Sequence, residues 1–99
     1  MRYLILIPDY TGSCIQDEFN GEVTLNDLKL PIDFIDELNL WNNAYKEIIP
    51  LSQKEREKRI DQIQKLDIQG LALANKLEHL TPGGAKVKYF SEGLLKYLT

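Results

Sequence analysis

Two apolar stripes with helical spacing constrain this chain more than any other feature. The first stripe consists of Phe34, Leu38, Trp41, Tyr45 and Ile48. The second consists of Ile63, Leu66, Gly70, Leu73, Leu77 and Leu80. Intervals of three and four residues place side chains on one face of an α-helix. The sequence therefore predicts two amphipathic helices, each burying one face, joined by a short connection.

Capping signals predict where these helices begin and end. Asp33 stands where an N-cap is expected, with Asp36 adding negative charge near the positive end of the helix dipole. Pro50 is predicted to end the first helix, since proline cannot continue one. The "SQKE" segment at 52–55 is a capping box, so the second helix should start at residue 53 and run about 28 residues, to the Thr-Pro-Gly-Gly turn at 81–84.

Gly70 interrupts the second stripe. Glycine in a helix interior costs about 1 kcal/mol relative to alanine. We expect Gly70 to permit the close approach of another backbone.

Strand signals precede the helices. Residues 3–7 form an apolar run of strand length that Pro8 stops, which predicts a first and central strand. After a turn at Asp9–Gly12, the segments "SCIQDEF" and "EVTL" flank Asn20-Gly21, a strong hairpin signal. Two further strands are therefore expected before the helices.

The tail "KVKYFSEGLLKYL" predicts a last hairpin. Its loop would be Ser91-Glu92-Gly93, with Gly93 at a positive φ. A short helix from Glu92 to Leu98, capped by Ser91, is the alternative. Together the signals predict one α+β domain over residues 1–99, an antiparallel sheet of four to five strands packed on a two-helix hairpin in the order β-β-β-α-α-β-β.

Composition narrows the class of protein. With 99 residues, 43% hydrophobic and 27% charged, the chain has the profile of a single globular domain. The opening apolar run is too short for a signal peptide, and no run reaches the ~18 apolar residues of a membrane span. A single cysteine, Cys14, cannot form an internal disulfide. We therefore expect a cytoplasmic protein with no membrane contact.

Charge is distributed unevenly along the chain. The first 45 residues carry eight acidic and two basic residues, and the remainder carries ten basic and seven acidic ones. Such asymmetry can orient a charged partner, although two ordinary solvated surfaces would give the same pattern.

The "KEREKR" stretch at 54–59 is the most basic one. Interleaved glutamates favour a solvated helix start over a nucleic-acid site, so no direct nucleic-acid contact is expected. Lys54 and Arg56 nevertheless lie in a first helical turn, where the dipole disfavours cations, which calls for a compensating partner.

Catalytic chemistry has one candidate, the turn that ends at Cys14. An enzyme or nucleotide-binding domain would need Asp9, Tyr10, Ser13 and Cys14 to converge with His79, the one histidine. The nearest ionisable residues in sequence are acids, which raise a thiol pKa, so a packed cysteine is favoured. The sequence predicts no catalytic residue, metal ligand or cofactor.

The chain also shows a family resemblance in several short motifs. It rests on a "PDY" strand end, an "L-P" before a capped helix, a "W-N-x-x-Y" helix face and a "YFSEG" tail. Here these motifs are Pro8, Asp9, Tyr10, Leu30, Pro31, Trp41, Asn42, Tyr45 and residues 89–93. In these features the chain resembles small bacterial immunity proteins of polymorphic toxin systems, including contact-dependent growth inhibition. The resemblance implies a non-enzymatic inhibitor that binds a cognate toxin domain, often a nuclease, and blocks its active site.

Toxin-contact residues are not carried over from the resemblance. A nuclease must hold phosphates with Lys and Arg, so an inhibitor profits from carboxylates. We therefore expect the partner-binding residues in the acidic front half, around Asp9 and Asn20. They are Asp9, Tyr10, Asp17, Glu18 and Glu22. An exposed sheet edge would also permit a homodimer.

Overall fold

A computed structural model describes residues 1–10 and 13–99, with Glu22 described through its backbone alone. Thr11 and Gly12 of the predicted Asp9–Gly12 turn lie outside the described residues. Within the described part of the chain the strands and helices are β1 (Arg2–Leu6), β2 (Ile15–Asp17), β3 (Gly21–Glu22), α1 (Ile32–Tyr45), α2 (Gln53–Lys58), α3 (Ile60–Leu80), β4 (Ala85–Ser91) and β5 (Lys96–Tyr97). The protein is therefore α+β, as predicted.

The sheet has the strand order β3-β2-β1-β4-β5, with β1 at its centre as expected. Neighbours are antiparallel except for β1 and β4, which run parallel with Leu4 beside Val87 and Leu6 beside Tyr89. The prediction of a purely antiparallel sheet is therefore wrong. Hairpin signals report pairing between strands adjacent in sequence, whereas β1 and β4 are joined by a long crossover that contains all three helices.

The first helix differs from the prediction at both ends. Its N-cap is Pro31 rather than Asp33, which lies inside the first turn. The fixed φ of proline, −59° here, suits entry into a helix, and this local restraint prevails over the aspartate signal. At the other end the α-helix stops at Tyr45, and the chain continues in turns, with the Ile48 amide donating to the Tyr45 carbonyl at 2.9 Å. Ile48 is nevertheless buried, as its place in the stripe predicts.

The second predicted helix is two helices. The Ser52–Glu55 capping box is confirmed and α2 begins at Gln53, but the helix breaks at Arg59, where φ is −113° and ψ is 23°. Neither glycine nor proline marks this position. The break follows Arg56, whose side chain donates to carbonyl groups outside the helix. The break therefore coincides with tertiary contacts.

Both predicted hairpins are confirmed. Gly21 follows the β2–β3 turn with φ of 84°. In the tail, a turn over residues 92–95 joins β4 to β5, so the alternative of a short helix is wrong. The positive φ falls on Leu95, at 54°, and not on Gly93 as predicted. Gly93 is required for space, because a Cβ there would lie 2.5 Å from Ile63 Cγ2 and 2.9 Å from the Tyr45 hydroxyl.

The core lies between the helices and one face of the sheet. Leu4 and Leu6 of β1, Ile15 of β2 and Tyr89 of β4 are fully buried. Both helical stripes pack against them, except that Leu80 at the end of α3 remains 37% exposed. Trp41 is 4% exposed, in agreement with its place in the first stripe.

Gly70 makes room for an aromatic ring. A Cβ at this position would lie 2.3 Å from Tyr89 Cε1 and 2.4 Å from Tyr89 Cζ. The close approach predicted at Gly70 therefore exists, but it comes from a side chain of β4 and not from a backbone.

We predict that Gly70→Ala destabilises the fold although alanine favours helix. Overpacking against the Tyr89 ring should lower the free energy of unfolding by about 1–3 kcal/mol, outweighing the ~1 kcal/mol gained in helix propensity. Urea denaturation measures the change. Gln69→Ala, at the exposed neighbouring position of the same helix, is the control and should shift stability by less than about 0.5 kcal/mol. A stabilised Gly70→Ala variant would contradict the packing argument.

Candidate functional site

A buried cluster of polar side chains joins α1, α3 and β4. Its centre is Asp67 of α3, which is 4% exposed. Asp67 Oδ1 accepts hydrogen bonds from the hydroxyls of Tyr45, at 2.9 Å, and Tyr89, at 2.6 Å. Its Oδ2 accepts from Ser91 Oγ at 2.8 Å. Burying a carboxyl group without hydrogen-bond partners would cost free energy. Here three hydroxyl groups, one from α1 and two from β4, supply those partners.

The same hydroxyls also fix the β4–β5 turn. Tyr45 Oη accepts from the Gly93 amide at 2.8 Å, and Ser91 Oγ accepts from the Leu94 amide at 3.1 Å. Tyr45, Tyr89 and Ser91 are fully buried. The cluster is enclosed, so its role is to position the helices against the sheet.

Burial raises the pKa values of both tyrosines. For Tyr45 desolvation is the main cause and the pKa rises to about 12. For Tyr89 desolvation again dominates, followed by the hydrogen bond to Asp67, and its pKa rises too. The fold therefore favours the neutral phenol at both positions.

The resemblance motifs coincide with this cluster and its surroundings. Trp41 Nε1 donates to the Leu66 carbonyl at 2.8 Å, which ties α1 to α3. The Asn42 side chain accepts from the Asp9 amide at 2.9 Å and donates to the Asp9 carbonyl at 3.0 Å. Tyr45 binds Asp67, as described above. The "W-N-x-x-Y" face thus contacts α3, the "PDY" strand end and, through the bond from the Gly93 amide to Tyr45, the β4–β5 turn.

Arg56 is a second buried polar side chain that the sequence did not single out as structural. It is 7% exposed and donates to the carbonyls of Leu51 at 3.1 Å, Ile49 at 2.8 Å and Glu92. The predicted solvated helix start is therefore wrong for this residue. Because α2 ends at Lys58, Arg56 lies in its last turn, where the helix dipole favours a cation, and the partners of its side chain lie within the same molecule.

The enzyme alternative gains no support from Cys14. Cys14 is 2% exposed, and burial raises its pKa to about 12. His79 lies on the exposed side of α3, with Nδ1 2.8 Å from the Asn75 carbonyl of its own helix. It lines a cavity of about 460 Å³ between α1 and α3 together with Phe34 and Lys76. Cys14 does not line that cavity.

The predicted partner-binding residues fall into two groups at opposite ends of the β1–β2 pair. Asp9 and Tyr10 follow the end of β1, where Asp9 is half-buried and Tyr10 is 56% exposed. Asp17 and Glu18 lie beside the start of β1, because β2 runs antiparallel to it. Glu22 lies in β3 opposite Gln16, and its side chain is outside the described part of the structure.

Asp17 and Glu18 have different surroundings. The Asp17 carboxylate accepts from the amides of Phe19 at 2.9 Å and Asn20 at 3.2 Å, and it lies 3.7 Å from the Arg2 guanidinium. These contacts, the Phe19 amide first, hold its pKa below the usual value. Asp17 is 9% exposed and stabilises the turn, whereas Glu18 forms an ion pair with Lys88 at 3.1 Å on the surface.

The sheet face that points away from the helices carries exposed aromatic side chains. Because side chains alternate along a strand, Tyr3 and Ile5 of β1 point away from the face of Leu4 and Leu6. Tyr3, Phe19 and Tyr97 are 42%, 77% and 53% exposed. Tyr3 packs edge-to-face on Phe19, and Tyr97 on Phe90. We call this surface the open face. Lys86 and Lys88 also lie on it, and Lys88 forms an ion pair across β1 with Glu18.

Comparisons with known proteins give no family for this chain: no protein-family model matches it, and no curated protein matches it significantly. Within the described residues, no group of three or more His, Cys, Asp or Glu side chains could hold a metal ion. Among the described helices, none combines the length and apolar character needed to cross a membrane.

We predict that Cys14 is protected in the folded protein. A pKa raised from 9.0 to about 12 leaves about a thousandfold less thiolate at pH 8, and the side chain is enclosed as well. A thiol reagent such as Ellman's reagent should react with Cys14 only after urea unfolding. Rapid labelling of the native protein would restore the catalytic-cysteine reading.

We also predict that stability falls at high pH. The raised pKa values of Tyr45 and Tyr89 in the folded state contribute to the free energy of unfolding. This contribution is fully present below the unfolded pKa of about 10, and it is lost as pH rises through the folded pKa values. Between pH 10 and 12 each group should lower the free energy of unfolding by about 1.4 kcal/mol per pH unit. Urea unfolding of the wild type and of Tyr45→Phe across this range measures how the free energy of unfolding changes with pH. The variant should show the shallower slope, and parallel curves would contradict the assignment.

Proposed function

We propose that this protein binds and neutralises a cognate secreted toxin domain, and that it does so by contact and not by catalysis. The proposal takes the toxin partner from the resemblance to immunity proteins of polymorphic toxin systems. The observation that carries the binding mode is the open face, where Tyr3 and Tyr97 of the sheet and Phe19 of the β2–β3 turn are exposed.

Exposed aromatic residues on a rigid element suit a binding surface. Tyr is among the residue types that dominate binding energy at protein interfaces, and large rings lose little conformational entropy when they are already fixed. Phe19 is held by a turn that Asp17 stabilises and by its contact with Tyr3. The open face thus presents side chains whose positions are set before a partner arrives.

The open face also carries one described carboxylate, Glu18, which a basic group of a partner would take over from its ion pair with Lys88. Glu18 lies beside Tyr3 and Phe19, and Glu22 follows in β3. A toxin that binds nucleic acid carries Lys and Arg at its active site, and carboxylates facing those groups would compete with phosphates. The contact would thus combine an aromatic centre with an acidic side that consists of Glu18.

The motifs on which the resemblance rests also support an inhibitor that binds a toxin domain. Several residues of these motifs build the interior here, where Tyr45, Tyr89 and Ser91 bind Asp67. Interior residues specify a fold and leave the surface free to differ between inhibitors of different toxins.

The test is binding to the toxin domain encoded beside this protein. The variant Tyr3→Ala/Phe19→Ala should raise the Kd about thirtyfold or more, the scale of losing interface hot spots. Leu40→Ala/Ile68→Ala is the matched control, because these residues are 73% and 69% exposed on the helices, and it should leave the Kd unchanged. Isothermal titration calorimetry gives the Kd, and growth of toxin-producing cells reports protection.

Charge reversal tests the acidic side separately. Glu18→Lys should slow association about tenfold at low salt, and the difference should shrink as salt rises. Asp17 is left unchanged, because its carboxylate holds the turn. Equal affinities of the wild type and the aromatic variant would reject the open face, and wild-type protein that does not bind the toxin would reject the function itself.

A further inference from the structure

The outer edge of β4 is incompletely covered by β5. On its inner side β4 pairs with β1 from Ala85 to Tyr89. On its outer side β5 pairs with Phe90 and Ser91 alone. Within the described residues, the stretch from Ala85 to Lys88 therefore has no strand beside its outer edge, and residues 98–99 lie beside Tyr89.

Side chains occupy the backbone donors of this edge. The Val87 amide donates to Glu78 Oε2 of α3 at 2.9 Å, and the Tyr89 amide donates to Thr99 Oγ1 at 2.8 Å. The Tyr89 carbonyl accepts from the Leu98 amide at 2.9 Å. Glu78 and the last residues thus supply the partners that a neighbouring strand would otherwise provide.

The geometry of the stretch is self-complementary. In an antiparallel pair centred on Val87, Val87 would face Val87 of a second copy. Ala85 would face its Tyr89, and the Ala85 amide would replace that of Leu98 on the Tyr89 carbonyl. The amides of Val87 and Tyr89 both point to this outer side, so each copy would offer the donors that the other accepts. A second copy of this chain is therefore the strand partner that this edge fits.

We infer that Glu78 and Thr99 form a lock that keeps β4 from pairing with β4 of a second copy. Lys86 and Lys88 add to the lock, because pairing centred on Val87 would place Lys86 opposite Lys88 of the copy, and like charges directly opposite are unfavourable. The lock is a property of the fold and does not depend on the proposed toxin partner.

Removing the two acceptors tests the lock. The variant Glu78→Ala/Thr99→Ala should self-associate, with a mass in sedimentation that rises toward twice the wild-type value as concentration increases. High salt should strengthen this association, because it screens the lysine repulsion. At low concentration the Val87 amide should exchange with deuterium about tenfold faster or more than in the wild type, and at high concentration it should regain protection.

Two further variants separate the hydrogen bond from charge. Glu78→Gln loses the charge but keeps a carbonyl acceptor, so it should keep the wild-type mass. Glu57→Ala removes an exposed acid of α2 and should do the same. If the double variant does not fold, Glu78→Ala alone provides the test: it frees the Val87 amide while Thr99 still binds Tyr89, so its mass should rise with concentration but less than expected for the double variant. The inference is overturned if the variant lacking the Glu78 acceptor keeps the wild-type mass at every concentration, or if Glu78→Gln associates as strongly as Glu78→Ala.

Discussion

The hydrogen bonds to Asp67 are the interaction on which the rest of this structure depends. A buried carboxyl group needs partners, and here they come from α1 and from β4, two elements far apart in the chain. Because Tyr45 also receives the Gly93 amide, the same contact fixes the β4–β5 turn. Leaving Asp67 without its hydroxyls would bury an unsatisfied polar group, so this set of bonds disfavours other arrangements of the helices on the sheet.

The hydrogen bonds around Asp67 also explain why glycine stands at positions 70 and 93. The Tyr89 hydroxyl reaches Asp67 only if its ring crosses α3, and Gly70 leaves the space for that crossing. Gly93 approaches Tyr45 and Ile63 more closely than any residue with a side chain could. A sequence motif such as "YFSEG" therefore combines hydrogen-bonding groups with a residue that makes room for them.

One layer of helices leaves the two faces of the sheet in different environments. The inner face is packed, and the outer face presents aromatic side chains with a few charges. The edges differ too, since β3 is two residues long and β4 is capped by Glu78 and Thr99. We propose the open face as the surface for a partner, while Glu78 and Thr99 cover the outer edge of β4.

Local signals in the sequence predicted much of the secondary structure. Helical spacing located both stripes, the capping box gave the start of α2, and Asn20-Gly21 gave the first hairpin, because each of these depends on residues close in the chain. The parallel pairing of β1 with β4 depends on contacts between distant residues, and the break at Arg59 coincides with the contacts that Arg56 makes outside its helix. The positive φ of Leu95 has no signal in the sequence.

For the candidate site, the sequence predicted Glu18 and the acidic front half, which stays a prediction, and it did not predict the aromatic open face. Tyr3 and Phe19 are sixteen residues apart, and they meet because β2 folds back on β1. Asp67 carries a signal that could have been noticed, since it lies four residues after Ile63 and three before Gly70 on the buried side of α3. The sequence by itself thus determined which segments form helices and strands, through periodicity and capping. Only the tertiary structure decided which charges and rings are buried or exposed, because that depends on which elements pack together.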